Sequence, residues 1–375
     1  MQIQKQVQLA PYTTFGIGGP AEFFVSVQSI RELEEALYLA QSKDLPIFIL
    51  GGGSNILVSD VGIRGLVIKI DSRGIEILEE SSEVVKIKVA AGEPWDGVVK
   101  YVVDNGWWGI ENLSHIPGNS GALAVQNVGA YGQEASQVVE SVEVLDTRGI
   151  LVSHKDSPCV TIGNSDCKFT YRSSIFNTTK KGKYVILSVT LKLSKNPKPN
   201  IKYGDVAKYF TEKKNDKPSL IDIRKAITEI RDRKFPYPEN AVNGNSGSFF
   251  KAHTINEADY ATLVKKVHDT FSGEAGETLQ GMQSYLKVAQ GVKVPYGYLI
   301  ELCGFKGQSM GNVTVCQTHA GVLVNATGKA LAKDVLEAFK TVRQTVYQKT
   351  GMTLLNEPEL VGFVPEELAY YFQVE

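Results

Sequence analysis

The chain has almost no net charge. Its 40 lysines and arginines stand against 41 aspartates and glutamates, for a formal charge of -1. A protein that holds nucleic acid by bulk charge gains its affinity from phosphate neutralisation and needs a basic excess. None exists here, so no nucleic-acid partner is expected. Cysteine is scarce: Cys159, Cys167, Cys303 and Cys316 are the four in 375 residues, and no two make a CxxC pair. That argues against a disulfide framework and a structural zinc site, and fits a reducing cytoplasm. The five histidines are scattered without an HExxH, so no catalytic metal is expected. No apolar run reaches the length of about 20 residues that spans a bilayer. The N-terminal MQIQKQVQLAPYTTFGIGG lacks the apolar core of a signal peptide. Internal repeats and low-complexity segments are missing too.

The remaining composition is that of an ordinary globular protein, 43% hydrophobic and 22% charged, with length for two or three domains. One stretch departs from the ordinary. Gly109 to Gly132, GIENLSHIPGNSGALAVQNVGAYG, has no steady period of two or of 3.6. Glycines recur at 109, 118, 121, 129 and 132, as suits backbone that passes close to something flat or bulky. Its polar groups include the amides and hydroxyls of Asn119, Ser120, Gln126, Asn127 and Tyr131, which can meet a ligand's edge without charge. The stretch reads as a segment embracing a cofactor; a glycine-rich core loop is the plainer alternative.

Along the chain, Ser29 with Glu32 makes a capping box before a helix striped by Ile30, Leu33, Leu37 and Ala40. A short buried strand, Leu45–Leu50, runs into Gly51–Asn55 (GGGSN), and Gly65–Ile70 is a further strand. Val84–Ala90 alternates as a strand. Pro94 starts a helix with Trp95, Val98, Val99 and Val102 inward, ended by Asn105-Gly106. Val138–Asp146 and Lys183–Leu193 read as strands buried on one face. Ser219–Arg233 is an amphipathic helix stopped by Phe235–Pro238 (FPYP) at a domain junction. Helices follow at Glu257–Phe271 and Ala332–Lys349, the second with Gly351 as its stop. Between them lie a flexible glycine-rich patch, Gly273–Gly281, and strands at Val313–Cys316 and Gly321–Asn325. The tail TLLNEPELVGF reads as a strand interrupted by Pro358.

Several residues invite chemistry, each with a plainer reading beside it. GGGSN after a strand can point backbone N–H groups into one concavity, a nest for phosphate; a tight turn fits equally. It is neither GxGxxG nor a Walker motif. Arg172, among aromatics in TYRSSIF, could hold a carboxylate with its planar fork, or lie over rings for packing. Ser248 in GSFFK has no His–Asp signature nearby, which argues against hydrolysis; it could also be a loop serine. Pro358 in NEPEL suppresses ladder pairing and could present Glu357 or Glu359 into a cleft, or leave a solvated pair.

The order of these motifs says more than any one of them. GGGSNILV, IPGNSGALAVQNVGAYG, YRSSIF, NGNSGSFFK and EPEL, with TFGIGGPAEFF, YLIELCGFKG and HAGVLVNATGKA, resemble the UDP-N-acetylenolpyruvoylglucosamine reductases, the MurB family, over nearly the whole chain. Tyr203-Gly204-Asp205 resembles the branch that closes a tyrosine over the substrate. The resemblance implies a three-domain α+β fold: residues 1–70 with 353–375, then 71–232, then 233–352. The first two domains would form an FAD-binding module like that of the vanillyl-alcohol-oxidase flavoenzymes (PCMH type), spanning about 18–195.

It further implies non-covalent FAD, NADPH as reductant, a UDP-sugar substrate, no membrane partner, a monomer and a bacterial cytoplasmic location. Gly51, Gly52, Gly53, Ser54 and Asn55 would cradle the FAD diphosphate. Ile116, Pro117, Gly118, Asn119, Gly121, Ala122, Gln126, Asn127, Gly129, Ala130, Tyr131 and Gly132 would wrap the cofactor. Arg172, Ser248 and Glu359 would be catalytic, and Tyr203 and Lys234 would hold the nucleotide sugar. Departures from the pattern include Asn119-Ser120, Leu123-Ala124, Val361, a longer Phe271–Pro295 segment, and Ala252 where a substrate-contacting asparagine is usual. An oxygen-using sugar or alcohol oxidase of the same superfamily and a non-catalytic nucleotide-binding relative are the alternatives.

Overall fold

In the computed structural model, residues 1–147, 159–234, 237 and 242–373 are described. The chain divides into two compact units. Unit one comprises Met1–Val7, Ala21–Gly53 and Arg64–Arg233; unit two comprises Gln8–Pro20, Ser54–Ile63 and Lys234–Glu375. Helices and strands are mixed in both, an α+β fold.

Unit one holds two sheets and the helices α1 (Ile30–Ser42), α2 (Trp95–Asp104), α3 (Ser120–Val125), α4 (Gly204–Glu212) and α5 (Leu220–Lys234). The first sheet orders its strands 4–8, 20–27, 63–70 and 47–50, and the last two run parallel with Ile47 opposite Leu66. The second is antiparallel, in the order 159–163, 139–146, 184–194, 84–90, 75–80. Alternation along Val84–Ala90 puts Val85, Ile87 and Val89 inward, where they meet Val98, Val99 and Val102 of α2 in one core. Ser29 caps α1 by accepting from the Glu32 N–H at 3.2 Å. Glu32 reaches one residue further back than a capping box requires and accepts from the Gln28 N–H at 2.7 Å. Leu33, Ala36, Leu37 and Ala40 form the buried stripe. Ile30, expected inward, is 43% exposed. Strand Ile47–Leu50 is also less buried than expected, with only Leu50 fully covered. Pro94 sits at the N-cap of α2, where an absent N–H is equally harmless.

Unit two holds α6 (Glu257–Thr270), α7 (Gly273–Leu286), α8 (Tyr296–Leu302), α9 (Ala332–Thr350) and α10 (Pro365–Phe372). Helix α9 ends at Gly351 with φ +74°, a left-handed cap that glycine adopts without strain. Its inward face, Val335, Leu336, Phe339, Val342 and Val346, lies in the core with Phe249 and Phe250. Asp60 accepts the N–H groups of Ala332 and Lys333 at 2.7 and 3.1 Å, a carboxylate at the positive end of the longest helix.

The glycine-rich patch at 273–281 is helix, not a flexible loop. Ser272 caps α7 through the Ala275 N–H at 3.1 Å. A Cβ on Gly276 would lie 2.6 Å from His268 Cβ, so glycine there permits the close approach of α6 and α7. Packing outweighs the poor helix propensity of glycine. The longer Phe271–Pro295 segment supplies α7 and two strands, 287–288 and 291–293, which pair with each other, the second also pairing with 254–255. Strands Val313–Val315 and Leu323–Asn325 pair antiparallel. Of the expected helix stop, Phe235, Pro236 and Pro238 lie outside the described residues.

Candidate active site

In unit one the two glycine-rich stretches lie against each other. Gly51–Gly53 follows the strand Ile47–Leu50, and Gly53 takes φ +62°. A Cβ on Gly52 would stand 2.6 Å from Gly118 Cα and 2.9 Å from Asn119 Oδ1. No side chain fits there. The Gly118 carbonyl accepts the Trp95 N–H at 2.9 Å, and the N–H groups of Ser120 and Gly121 donate to Glu93 and Ala91, each at 2.9 Å. Gly121 packs on Ala91, whose Cβ would be 2.7 Å from an added Cβ. Ala122 is the nearest neighbour of a Cβ added at Gly51, at 3.8 Å. The backbone from Gly118 to Gly121 is thus held along α2's entry and faces Gly52.

Further on, two tight turns meet. Gly129-Ala130 pairs with Gln133-Glu134, leaving Tyr131-Gly132 as a two-residue loop with φ +49° and +82°. Positive φ at both central positions is the type I′ signature. Thr170 and Ser173 exchange backbone hydrogen bonds of 3.0 and 3.1 Å, with Tyr171-Arg172 between them and Arg172 at φ +53°. Asn127, buried and itself at φ +46°, donates to Glu134 at 3.0 Å and to the Thr170 carbonyl at 3.1 Å. It staples one turn to the other. Arg172 then donates through Nη1 to the Gly129 carbonyl at 3.1 Å, with its guanidinium 5.2 Å from the Tyr171 ring. The packing reading of Arg172 is seen in this ring contact, and the residue is half-buried. Left-handed backbone at several non-glycine residues of one segment is strain of the kind that functional sites keep.

Tyr203 joins this group. It is the N-cap of α4, 47% exposed, and its ring meets Tyr131 edge to face at 5.6 Å. Asn112 Nδ2 donates to the carbonyls of Tyr131 and Asn200 at 2.8 and 2.7 Å, and Asn200 Nδ2 to Gly132 at 2.9 Å. The approach to Tyr203 is therefore sewn to the Tyr131 turn. Glu111 is fully buried beneath, accepting from the Gly109 N–H at 2.7 Å and Gln133 Nε2 at 3.2 Å. Burial pushes its carboxyl above the usual range, against those donors.

In unit two, chain pairing gathers a second group. Phe250 pairs with Asn356 and Lys251 with Leu355, and the Glu357 N–H donates to the Phe249 carbonyl at 2.8 Å. Glu359 then pairs in parallel with Ile56, its N–H donating to the Asn55 carbonyl at 3.0 Å. Pro358 divides the tail as expected from its missing N–H, and each half takes a different partner. The Glu359 backbone thus lies beside Asn55 and Ile56, and that of Glu357 beside Phe249, the residue after Ser248; Ser248 is half-buried and Glu359 exposed. The loop before Ser248 is fixed by Asn325, whose backbone pairs with Asn243 and Gly244 at 2.9 Å each. A Cβ on Gly244 would meet the Phe15 carbonyl at 2.4 Å. Lys234 ends α5, and its carbonyl accepts from Thr318 Oγ1 and from Cys316 Sγ, the latter at 3.5 Å.

Asn112 Oδ1 and Ser246 Oγ are buried without a hydrogen-bond partner among the described residues. An unpaired buried polar atom costs about 1–3 kcal/mol, so each suits a site where a bound molecule or water completes the bonding. A cavity of about 320 Å³ also opens in unit one, with Ser29, Arg73, Lys88, Glu143 and Ser188 in its wall. None of the expected site residues lines it, and Lys88 is already paired with Glu143 at 2.7 Å. Among the described residues no His, Cys, Asp or Glu cluster could hold a metal, and no helix is long and apolar enough to cross a membrane.

Sequence reasoning missed Asp96, His115, Arg224, Arg231 and Asp232. Asp96 accepts both Nη groups of Arg224 at 2.8 Å, and the three α5 residues converge on the start of the cofactor segment. The seven-residue spacing of Arg224 and Arg231 on one helix face was the available signal.

Residues 21–154, which include the Gly51–Gly53 turn and the Gly109–Gly132 segment, match the family model of an FAD binding domain, so the chain is by class a flavoprotein. Residues 238–361 match the UDP-N-acetylenolpyruvoylglucosamine reductase C-terminal domain. The chain is 37% identical to the UDP-N-acetylenolpyruvoylglucosamine reductase of Flavobacterium johnsoniae, covering 96% of this chain and 100% of that one. It is 36% identical to the enzyme of that name from Neisseria meningitidis, covering 95% and 96%. The chain belongs to the UDP-N-acetylenolpyruvoylglucosamine reductase (MurB) family. The crystal structure of MurB from Thermus caldophilus has the same fold, with a TM-score of 0.62 at 23% identity over 96% of this chain and 99% of that one.

Proposed function

We propose that this protein is the NADPH-dependent reductase that converts UDP-N-acetylglucosamine enolpyruvate to UDP-N-acetylmuramate for peptidoglycan synthesis. The observation that carries this reading is the family relationship over 96% of the chain, with the YRSSIF, GSFFK and EPE residues intact. We further propose that it acts as a cytoplasmic monomer.

The residues suit FAD. The Gly52–Gly118 contact has no room for a Cβ, and the Asn112 oxygen in the same segment lacks a partner among the described residues. Gly51–Gly53 with Ser54-Asn55 would hold the diphosphate, and Ile116–Gly132 the flavin and its tail. Bound FAD supplies the hydride chemistry. Reduction of the enolpyruvyl double bond places negative charge on the carbon beside the carboxylate. Arg172 binds that carboxylate and stabilises the charge, and Glu359 shares in this as a hydrogen-bonding partner. Preorganised donors of this kind contribute roughly 2.7–4 kcal/mol each. Ser248 gives its hydroxyl proton to the carbanionic carbon, a general-acid role of about 10²- to 10⁴-fold. Tyr203 and Lys234 hold the nucleotide sugar. In this reading the chain would divide into two cofactor lobes and a substrate domain.

Residues 51–60, GGGSNILVSD, contain no histidine to tether flavin covalently, which weighs against the oxidase alternative. The test is a two-step spectrum. NADPH should bleach the yellow protein, and the enolpyruvyl substrate should recolour it. Ser248→Ala should bleach normally and recolour about 10²-fold or more slowly. Equal recolouring rates would remove Ser248 from the chemistry; failure of the parent to recolour would end the whole reading.

A further inference from the structure

His115 opens the IPGN part of the cofactor segment in a left-handed conformation, φ +59°. Non-glycine residues take that backbone uncommonly, though histidine is among the more tolerant. Its N–H donates to Asp96 Oδ1 at 2.5 Å, its carbonyl accepts from Arg231 Nε at 2.6 Å, and its Nε2 meets the Asp232 carboxylate at 2.8 Å. Asp96 lies in the first turn of α2 and is itself gripped by both Nη groups of Arg224, each at 2.8 Å. The pair is largely shielded, with 19% and 26% of the two side chains exposed. Three residues after His115, the Gly118 carbonyl is bonded by the Trp95 N–H, next to Asp96. The stretch His115–Gly118 is thus tied at both ends to the start of α2, and α2 is tied to α5 by a two-pronged ion pair.

We propose that the Arg224–Asp96 pair, acting through His115, is a positioning device for FAD. It fixes the Ile116–Gly118 backbone in the shape that faces Gly52, although neither residue belongs to the glycine-rich segments. The inference rests on the reading of Gly51–Gly53 and Ile116–Gly118 as the cofactor cradle. Planar two-point pairing is the geometry that defines orientation as well as attraction, and lysine cannot reproduce it.

The test titrates flavin-free full-length protein with FAD, following quenching of flavin fluorescence, beside a thermal melt of the same flavin-free protein. Asp96→Asn and Arg224→Gln should each weaken FAD binding about tenfold or more while melting within a few degrees of the parent. Because they break one unit, the double variant should lose no more than the weaker single variant, where independent sites would multiply. At saturating FAD, recolouring by substrate should run at the parent rate. Arg224→Lys, which keeps the charge and loses the fork, should fall between, and is the variant to read if Arg224→Gln does not fold. FAD affinity within twofold of the parent in both single variants, or multiplicative loss in the double, overturns the proposal. Gly52→Val separates this from failure of the cradle reading. Loss of FAD in Gly52→Val with full binding in Asp96→Asn overturns the clamp alone, and full binding in both overturns the cradle.

Discussion

Arg343 offers a stringent check on how the tail carrying Glu359 is held. It lies on α9 and is 6% exposed, with no carboxylate bonded to it among the described residues. Its Nε donates to the Leu354 carbonyl at 3.0 Å. Its Nη1 donates to the carbonyls of Phe372 and Gln373, the latter at 3.2 Å, and the guanidinium sits 5.5 Å from the Phe372 ring. Leu354 immediately precedes the strand Leu355-Asn356 that pairs with Phe250-Lys251. Arg343→Met keeps most of the packing and deletes every donor. Leu354 is 1% exposed, so its carbonyl would stay buried and unpaired, about 1–3 kcal/mol. The Phe372 and Gln373 carbonyls, near the chain end, can rehydrate and contribute about 0.5–1 kcal/mol each. The expected destabilisation is about 2–5 kcal/mol, which for a unit of this size lowers Tm by about 4–20 °C. The assay is a thermal melt of flavin-free protein, with limited proteolysis to show whether α10 is released first. A fall of less than about 1 °C would mean that the guanidinium's desolvation had cancelled its bonds, and the reasoning would be wrong.

Two glycines of α7 should respond with opposite signs to the same kind of change. Gly276→Val drives a side chain into His268 backbone and Cβ and should destabilise by about 1–3 kcal/mol, whereas Gly281→Ala, with open space around it, should stabilise by up to about 1 kcal/mol; urea midpoints decide both. Burial would raise the Asp96 carboxyl, but Arg224 and the His115 N–H outweigh it and hold the group below its ordinary value. A depressed carboxylate stabilises the fold above its unfolded pKa, and that contribution disappears as pH falls through the lower folded value. The stability gap between parent and Asp96→Asn should therefore be constant near neutrality and close only below about pH 4, as denaturation midpoints at a series of pH values would reveal. Burial, aided by Asp166, pushes the Cys167 thiol up to about 11, and the residue is fully buried; Cys159 is exposed. Iodoacetamide on the native protein at mildly alkaline pH should label Cys159 and spare Cys167, with mass spectrometry of peptides as the readout.

Much of the local structure is legible in short stretches of the chain. Ser29 three residues before Glu32, Gly351 after an apolar stripe, and the alternation of Val84–Ala90 each determine an element through contacts within a few residues. The order of the glycine and EPEL motifs likewise carries the family by itself. Tertiary structure decided the rest. It folded Gly273–Gly281 into α7, because the close approach to His268 repays what glycine loses in a helix. It left Ile30 outside, because a period names a face but not how much of that face a neighbour will cover. It split the tail at Pro358 between Phe250 on one side and Ile56 on the other. It also brought Arg224 of α5 to Asp96 of α2, so that a histidine could hold a left-handed turn. For the split tail and for the Arg224–Asp96 pair the deciding partner lies more than a hundred residues away, and no local propensity encodes which distant group will be there to pair.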